Sequence, residues 1–137
     1  MDLVGLKASL QLCELFVTLD NDELDVLIAH GTIEELPRGK ILYMKGAKSD
    51  NTFCFLYSGA VNIVAKDGHV VKEIPEGKVL GEVALSNPHQ IRTVTVITKE
   101  PTEIIVWDAK TIKEKIPALW KKLLKLAWKN ISEYYEE

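Results

Sequence analysis

Turn chemistry recurs through the middle of the chain at Pro37-Arg38-Gly39, Lys45-Gly46, Ser58-Gly59, Asp67-Gly68 and Pro75-Glu76-Gly77, about 7 to 13 residues apart. This spacing restricts the fold more than any other feature, because glycine and proline at such positions set backbone angles that end a regular element. Between the turns lie short runs of period two: Ile41 to Met44, Phe53 to Tyr57, Val61 to Ala65, Val70 to Ile74, Val94 to Thr98 and Glu103 to Trp107. Runs of this length, rich in Val, Ile, Phe and Tyr, read as strands. Parallel pairing would need crossover helices between them. No helical pattern interrupts residues 32 to 107, so the strands are expected to pair antiparallel in a sandwich or barrel.

The flanks read differently. Asp20-Asn21-Asp22-Glu23 has the form of a capping box, with Leu24, Leu27 and Ile28 following on one face and Gly31 as the stop. One short helix is therefore expected before the strands. After Trp107 the helical period returns, with Asp108 placed to cap a short helix to Ile116 and Pro117 suited to the first position of another that runs to the C-terminus. In that last helix Trp120, Leu124, Ala127, Ile131 and Tyr134 step by four and three, a heptad-like seam. Leu119, Leu123 and Leu126 widen the apolar surface, which leads us to expect a homodimer through this helix.

At 137 residues, 47% hydrophobic and 27% charged, the chain suits one domain, with the strands over about 32–107 and the helices over about 108–137. A net charge of −3 gives no basic surface for nucleic acid or for a membrane. Met1 to Leu15 lacks the pattern of a signal peptide and no apolar run approaches a membrane span, so a cytoplasmic location is expected. Cys13 and Cys54 lack metal or redox spacing, and His30, His69 and His89 are isolated. No metal site, catalytic cofactor or catalytic triad is expected, and the chain does not read as an enzyme.

The stretch from Gly81 to Val96, GEVALSNPHQIRTVTV, holds one acid, Glu82, among apolar residues and one base, Arg92, ten residues later. Charges in such surroundings need partners. Either the two form a salt bridge on a barrel face, or each complements one end of a small anionic ligand. In the second case Arg92 offers a planar fork to phosphate oxygens and Glu82 accepts from a sugar hydroxyl. Gly81 and Ala84 then allow the N–H groups of Val83, Ala84 and Leu85 to turn towards the anion as a nest, and Thr93 adds a hydroxyl.

The string Gly77-Lys-Val-Leu-Gly81-Glu82-Val-Ala84-Leu85, with Arg92-Thr93 after a short loop, resembles the phosphate-binding cassette of cyclic nucleotide-binding domains. Pro37-Arg38-Gly39-Lys40-Ile41, Gly46 and Phe55-Leu56-Tyr57-Ser58-Gly59-Ala60-Val61 fall in the order of that family's turns and strands. The resemblance implies a mainly β fold, an eight-stranded antiparallel jelly roll with a short N-terminal helix and C-terminal helices. It implies a non-enzymatic sensor for cAMP or cGMP that signals through its C-terminal helices, the alternative being a ligand-free interaction or dimerisation domain. The implied roles are Glu82 to the ribose 2′-hydroxyl, Arg92 and Thr93 to the cyclic phosphate, and Gly81, Ala84 and Leu85 through backbone groups. Tyr134 and Tyr135 are expected as a lid over the base. The chain differs from the family pattern at Leu80, Lys45 and Ile91, none a ligand-contacting position. Too few residues follow Trp107 for a helix-turn-helix domain, so no nucleic-acid partner is expected.

Overall fold

In a computed structural model that describes residues 2–86 and 91–135, and for 86 and 131–135 the backbone only, the six period-two runs and two further segments, Thr32–Leu36 and Val79–Leu80, form eight strands in two four-stranded sheets. The strands are β1 (Thr32–Leu36), β2 (Ile41–Tyr43), β3 (Thr52–Ser58), β4 (Ala60–Val64), β5 (Val70–Pro75), β6 (Val79–Leu80), β7 (Thr95–Thr98) and β8 (Thr102–Asp108). One sheet has the order β1-β8-β3-β6 and the other β2-β7-β4-β5, with antiparallel pairing throughout. That order is the double-sheet jelly roll that the family resemblance implied.

Two cores follow from the pleat. In β3, Cys54 and Leu56 face the second sheet and join Val61, Ile63, Leu80 and Val96. Phe53 and Phe55, on the opposite face, join a second cluster with Phe16, Leu27, Ile105, Trp107 and Leu123. A central strand covered on both sides carries a nearly continuous apolar run.

The helical layer that covers the first sheet is built from α1 (Leu3–Leu12), α2 (Asn21–Ala29), α4 (Ala109–Lys115) and α5 (Pro117–Tyr135). The capping box forms as read: Asp20 Oδ1 accepts from the Glu23 amide at 2.8 Å, and Glu23 Oε1 accepts from the Asp20 amide at 3.1 Å. Gly31 ends α2 for a reason of packing, since a Cβ there would overlap Ile105 Cδ1 and lie 2.9 Å from Trp107 Nε1. Asp108 caps α4 by accepting from the Lys110 amide at 3.0 Å.

Two expectations are corrected. A helix, α1, precedes the one read at Asp20; Asp2 caps it, and it buries Leu6 and Leu10 while Leu3, Val4 and Leu12 stay exposed. Apolar residues on all sides blurred its period. In α5 the buried face is Leu119, Leu123, Ala127 and Asn130, which shares only Ala127 with the expected seam among the described side chains. Trp120 and Leu124 are half-buried, and the side chains of Ile131 and Tyr134 lie outside the described residues. Rotating the helix in this way sets Leu119 and Leu123 into the first core.

Trp107 ties the two layers together. Its Nε1 donates to the Leu27 carbonyl of α2 at 2.7 Å, and its ring lies 5.6 Å from that of Phe16 and 5.4 Å from that of Phe53. Trp107→Ala removes a buried ring and leaves that carbonyl without its donor, so urea unfolding should give a loss of about 3–5 kcal/mol. A loss below about 1 kcal/mol would mean that the helices hold to the sheet without it.

Candidate functional site

After β6 the chain turns through Gly81 and winds into a single helical turn, α3 (Glu82–Ser86). Val83, Ala84 and Leu85 thus form part of a helix where the sequence suggested a nest. Gly81 adopts φ +88°, a left-handed conformation that glycine accepts readily. A Cβ there would lie 2.6 Å from Tyr43 Oη and 2.9 Å from Arg92 Nη1. The turn therefore brings the backbone against both side chains.

Glu82 and Arg92 are both buried, 1% and 5% exposed, and line one small cavity with Gly81, Val83, Ala84 and Thr93. The structure thus brings Gly81, Glu82, Val83, Ala84, Arg92 and Thr93 to one place, with Leu85 next to them in α3. The salt bridge between the two charges does not form. Arg92 Nη2 instead donates to Asp50 Oδ1 at 2.8 Å and to Thr52 Oγ1 at 3.3 Å, and Nη1 to the carbonyls of Thr52 at 3.3 Å and Gly81 at 3.4 Å. Its guanidinium carbon lies 3.8 Å from the centre of the Tyr43 ring. The Arg92 backbone is also held, its amide donating to the Ala47 carbonyl at 2.7 Å and its carbonyl accepting from the Gly46 amide at 2.9 Å.

Glu82 Oε1 accepts from Asn130 Nδ2 of α5 at 2.8 Å, a bond buried at both ends. Among the described residues nothing partners Oε2. A buried carboxylate oxygen without a donor is costly and rare in folded proteins. It marks a position where a hydroxyl or N–H group is wanted. Burial pushes the Glu82 carboxyl above its ordinary range, against the opposing effects of Asn130, a backbone N–H and the Arg92 charge. At Asp50 burial acts upward too, but the bonds from Thr52 and the Arg92 charge outweigh it and hold the carboxyl low.

The cavity, about 20 Å³, has room for about one water molecule. Asn130 itself lines a larger groove of about 610 Å³ between the end of α1, β5 and α5, bordered by Lys72, Lys122 and Lys125. Its bond to Glu82 therefore connects that groove to a residue of the cavity. Tyr134 and Tyr135 belong to the last turn of α5, with side chains outside the described residues. Asp50, Thr52, Tyr43 and Asn130 were not legible as site residues, because each meets Glu82 or Arg92 from a distant part of the chain. Among the described residues no group of three metal-ligating side chains comes together, and no helix is long and apolar enough to cross a membrane. His89 lies outside the described residues.

A model of the cyclic nucleotide-binding domain matches residues 33–117. No curated protein matches the chain. Among solved structures, the regulatory domain of Toxoplasma gondii PKA with cAMP is similar at TM-score 0.73 and 22% identity, over 96% of this chain and 48% of that one. The regulatory subunit of a cAMP-independent protein kinase A from Trypanosoma brucei reaches TM-score 0.79 at 20% identity, over 94% and 47%. The sensor domain of the transcriptional regulator DNR from Pseudomonas aeruginosa gives 0.73 at 19%, over 96% of both chains. The chain spans less than half the length of the two kinase chains. At these identities the likeness is one of fold.

The buried Glu82 carboxyl has a consequence for stability. Its folded pKa is raised, so its favourable contribution is complete below the unfolded value near 4.5 and is lost as pH rises through the folded value. Glu82→Gln keeps an acceptor for Asn130 without the charge. We expect this variant to melt about 2 to 6 °C above the parent at pH 8, the order of what about 1 kcal/mol is worth in a domain this size, and the gap to close towards pH 4.5. Melting scans across that range check it; a gap independent of pH would contradict the assignment.

Proposed function

The chain belongs to the cyclic nucleotide-binding domain family, and from that premise we propose that it is a non-enzymatic sensor module that takes a cyclic nucleotide, cAMP before cGMP, at Glu82 and Arg92. The observation that carries this reading is the unpartnered Glu82 Oε2 beside a buried guanidinium. A ribose 2′-hydroxyl supplies the missing donor, and Oε1 can keep Asn130. Arg92 receives the cyclic phosphate: its ion pair is to Asp50, whose side chain is 72% exposed, so a phosphate can replace one anion with another and Asp50 can return to water. Thr93 adds a hydroxyl beside it, and Gly81, Val83, Ala84 and Leu85 contribute backbone groups. The solved Toxoplasma domain of this fold holds cAMP.

A nucleotide is far larger than the cavity, so its entry shifts the walls around Glu82, whose other oxygen is bonded to Asn130 of α5. That bond makes α5 the output element: occupancy changes its contacts with α3, as a relay requires. Tyr134 and Tyr135, in the last turn of that helix, are its lid over the base in this reading. Ala127 is buried within the chain, so homodimerisation falls to Leu124 and to Trp128, 70% exposed on the outer side of α5. The module is cytoplasmic in this reading, without a nucleic-acid partner. A ligand-free interaction domain is the second reading, favoured by the similarity to a cAMP-independent regulatory subunit.

Calorimetric titration with cAMP, cGMP and cyclic di-GMP separates the two. We expect saturable binding of cAMP, a loss of about 2–5 kcal/mol for Arg92→Leu, and at least about tenfold weaker binding of 2′-deoxy cAMP, which leaves Oε2 without its donor. No heat with any cyclic nucleotide would favour the interaction domain. Equal affinity for the ribose and deoxy ligands would remove Glu82 from its role.

Amide hydrogen exchange over Lys125 to Tyr135, with and without saturating cAMP, should change in protection if α5 is the output. Light scattering of the same samples at tens of micromolar should give twice the chain mass. Unchanged exchange would reject the relay, and a monomer's mass the dimer.

A further inference from the structure

We infer that Tyr43 is a positioning residue for Arg92: its ring holds the guanidinium plane so that the outer edge of the fork meets an anion in one orientation. The inference rests on the nucleotide reading above and concerns a residue outside the cassette. Tyr43 ends β2 and stands opposite Val96 of β7 after a register shift. Residues opposite each other in an antiparallel pair project to the same face. Val96 lines the cavity, and Tyr43 lines it too.

The contacts of Arg92 divide by geometry. The ring takes the face of the guanidinium, 3.8 Å from its carbon to the ring centre. The carbonyls of Thr52 and Gly81 take Nη1. Among the described residues only Nη2 meets a carboxylate, that of the exposed Asp50. A face contact leaves every N–H in the plane to donate, so it is compatible with either Asp50 or a phosphate at the edge. The ring is thus a contact that anion exchange at Nη2 leaves in place. Its place is fixed from the other side by Gly81, where any side chain would collide with Tyr43 Oη and Arg92 Nη1, and its oxygen lies 3.6 Å from the buried Cys54 Sγ.

Such a contact acts through preorganisation. A guanidinium already held flat and aimed loses little freedom when a phosphate docks, whereas a loose one must be ordered by the ligand. The ring supplies this and the hydroxyl does not, so phenylalanine should serve and leucine should not.

Two measurements on the full chain test it. In calorimetry with cAMP, Tyr43→Phe should stay within about threefold of the parent and Tyr43→Leu should bind about tenfold more weakly. In an Arg92→Lys background, whose ammonium has no plane to orient, Tyr43→Leu should cost less than about threefold. In arginine side-chain 15N–1H NMR spectra recorded without ligand, the Arg92 signal should carry a ring-current shift in the parent and in Tyr43→Phe and lose it in Tyr43→Leu. If the leucine variant does not fold, Tyr43→Met, which keeps a long apolar side chain without a ring, replaces it in both experiments. Binding by a folded Tyr43→Leu within twofold of the parent, an equal loss in Tyr43→Phe, or the same tenfold loss in the lysine background would overturn the inference. If the parent binds no cAMP, the nucleotide reading falls by itself and the NMR signature still decides whether Tyr43 orients Arg92.

Discussion

Arg92 carries a full positive charge to a barrel end where it is 5% exposed, and the residues around it are arranged by the need to compensate that charge. No single partner does so. Two carbonyls, a hydroxyl, a carboxylate and an aromatic face share the guanidinium, and these come from β2, the β3 start, the turn at Gly81 and the loop at Asp50. Holding them together requires both sheets to be in register and requires glycine at position 81. The site is thus a property of the whole barrel end, although its two charges lie ten residues apart in the chain.

Glu82 poses the opposite problem. Its carboxylate is more deeply buried and less fully compensated, with one oxygen on Asn130 and the other unpartnered among the described residues. An arrangement of this kind is poor for stability and well suited to binding, since a ligand hydroxyl recovers the interaction that the fold leaves unmade. Because Asn130 belongs to α5, the same carboxylate joins the cassette to the C-terminal helix. The proposed relay would need no longer path than this one bond.

The charges also explain why they avoid each other. Were Glu82 and Arg92 paired, each would satisfy its partner and an anion would have to break a buried ion pair to enter. With Arg92 on an exposed carboxylate and Glu82 on a neutral amide, the phosphate and hydroxyl of the proposed ligand would meet groups able to exchange partners at lower cost.

Local pattern was enough for much of this. Turn residues at Gly39, Gly46, Gly59, Gly68 and Gly77, each with positive φ, mark where the strands end along the chain, because the backbone angle is decided where the glycine sits. The capping box at Asp20 and the cap at Asp108 are likewise contacts between residues two or three apart. Glu82 and Arg92 stood out because charge in an apolar run demands a partner. The identity of those partners was not in the pattern. Asp50 and Thr52 lie about forty residues from Arg92, Tyr43 lies on the neighbouring strand β2, and Asn130 lies 48 residues beyond Glu82 on another element. The buried face of α5 and the presence of α1 were equally hidden, since a helix with apolar residues on several sides does not declare which side meets the sheet. Periodicity records what each residue is next to along the chain, and only the packing of two sheets and a helical layer determines what it is next to in space.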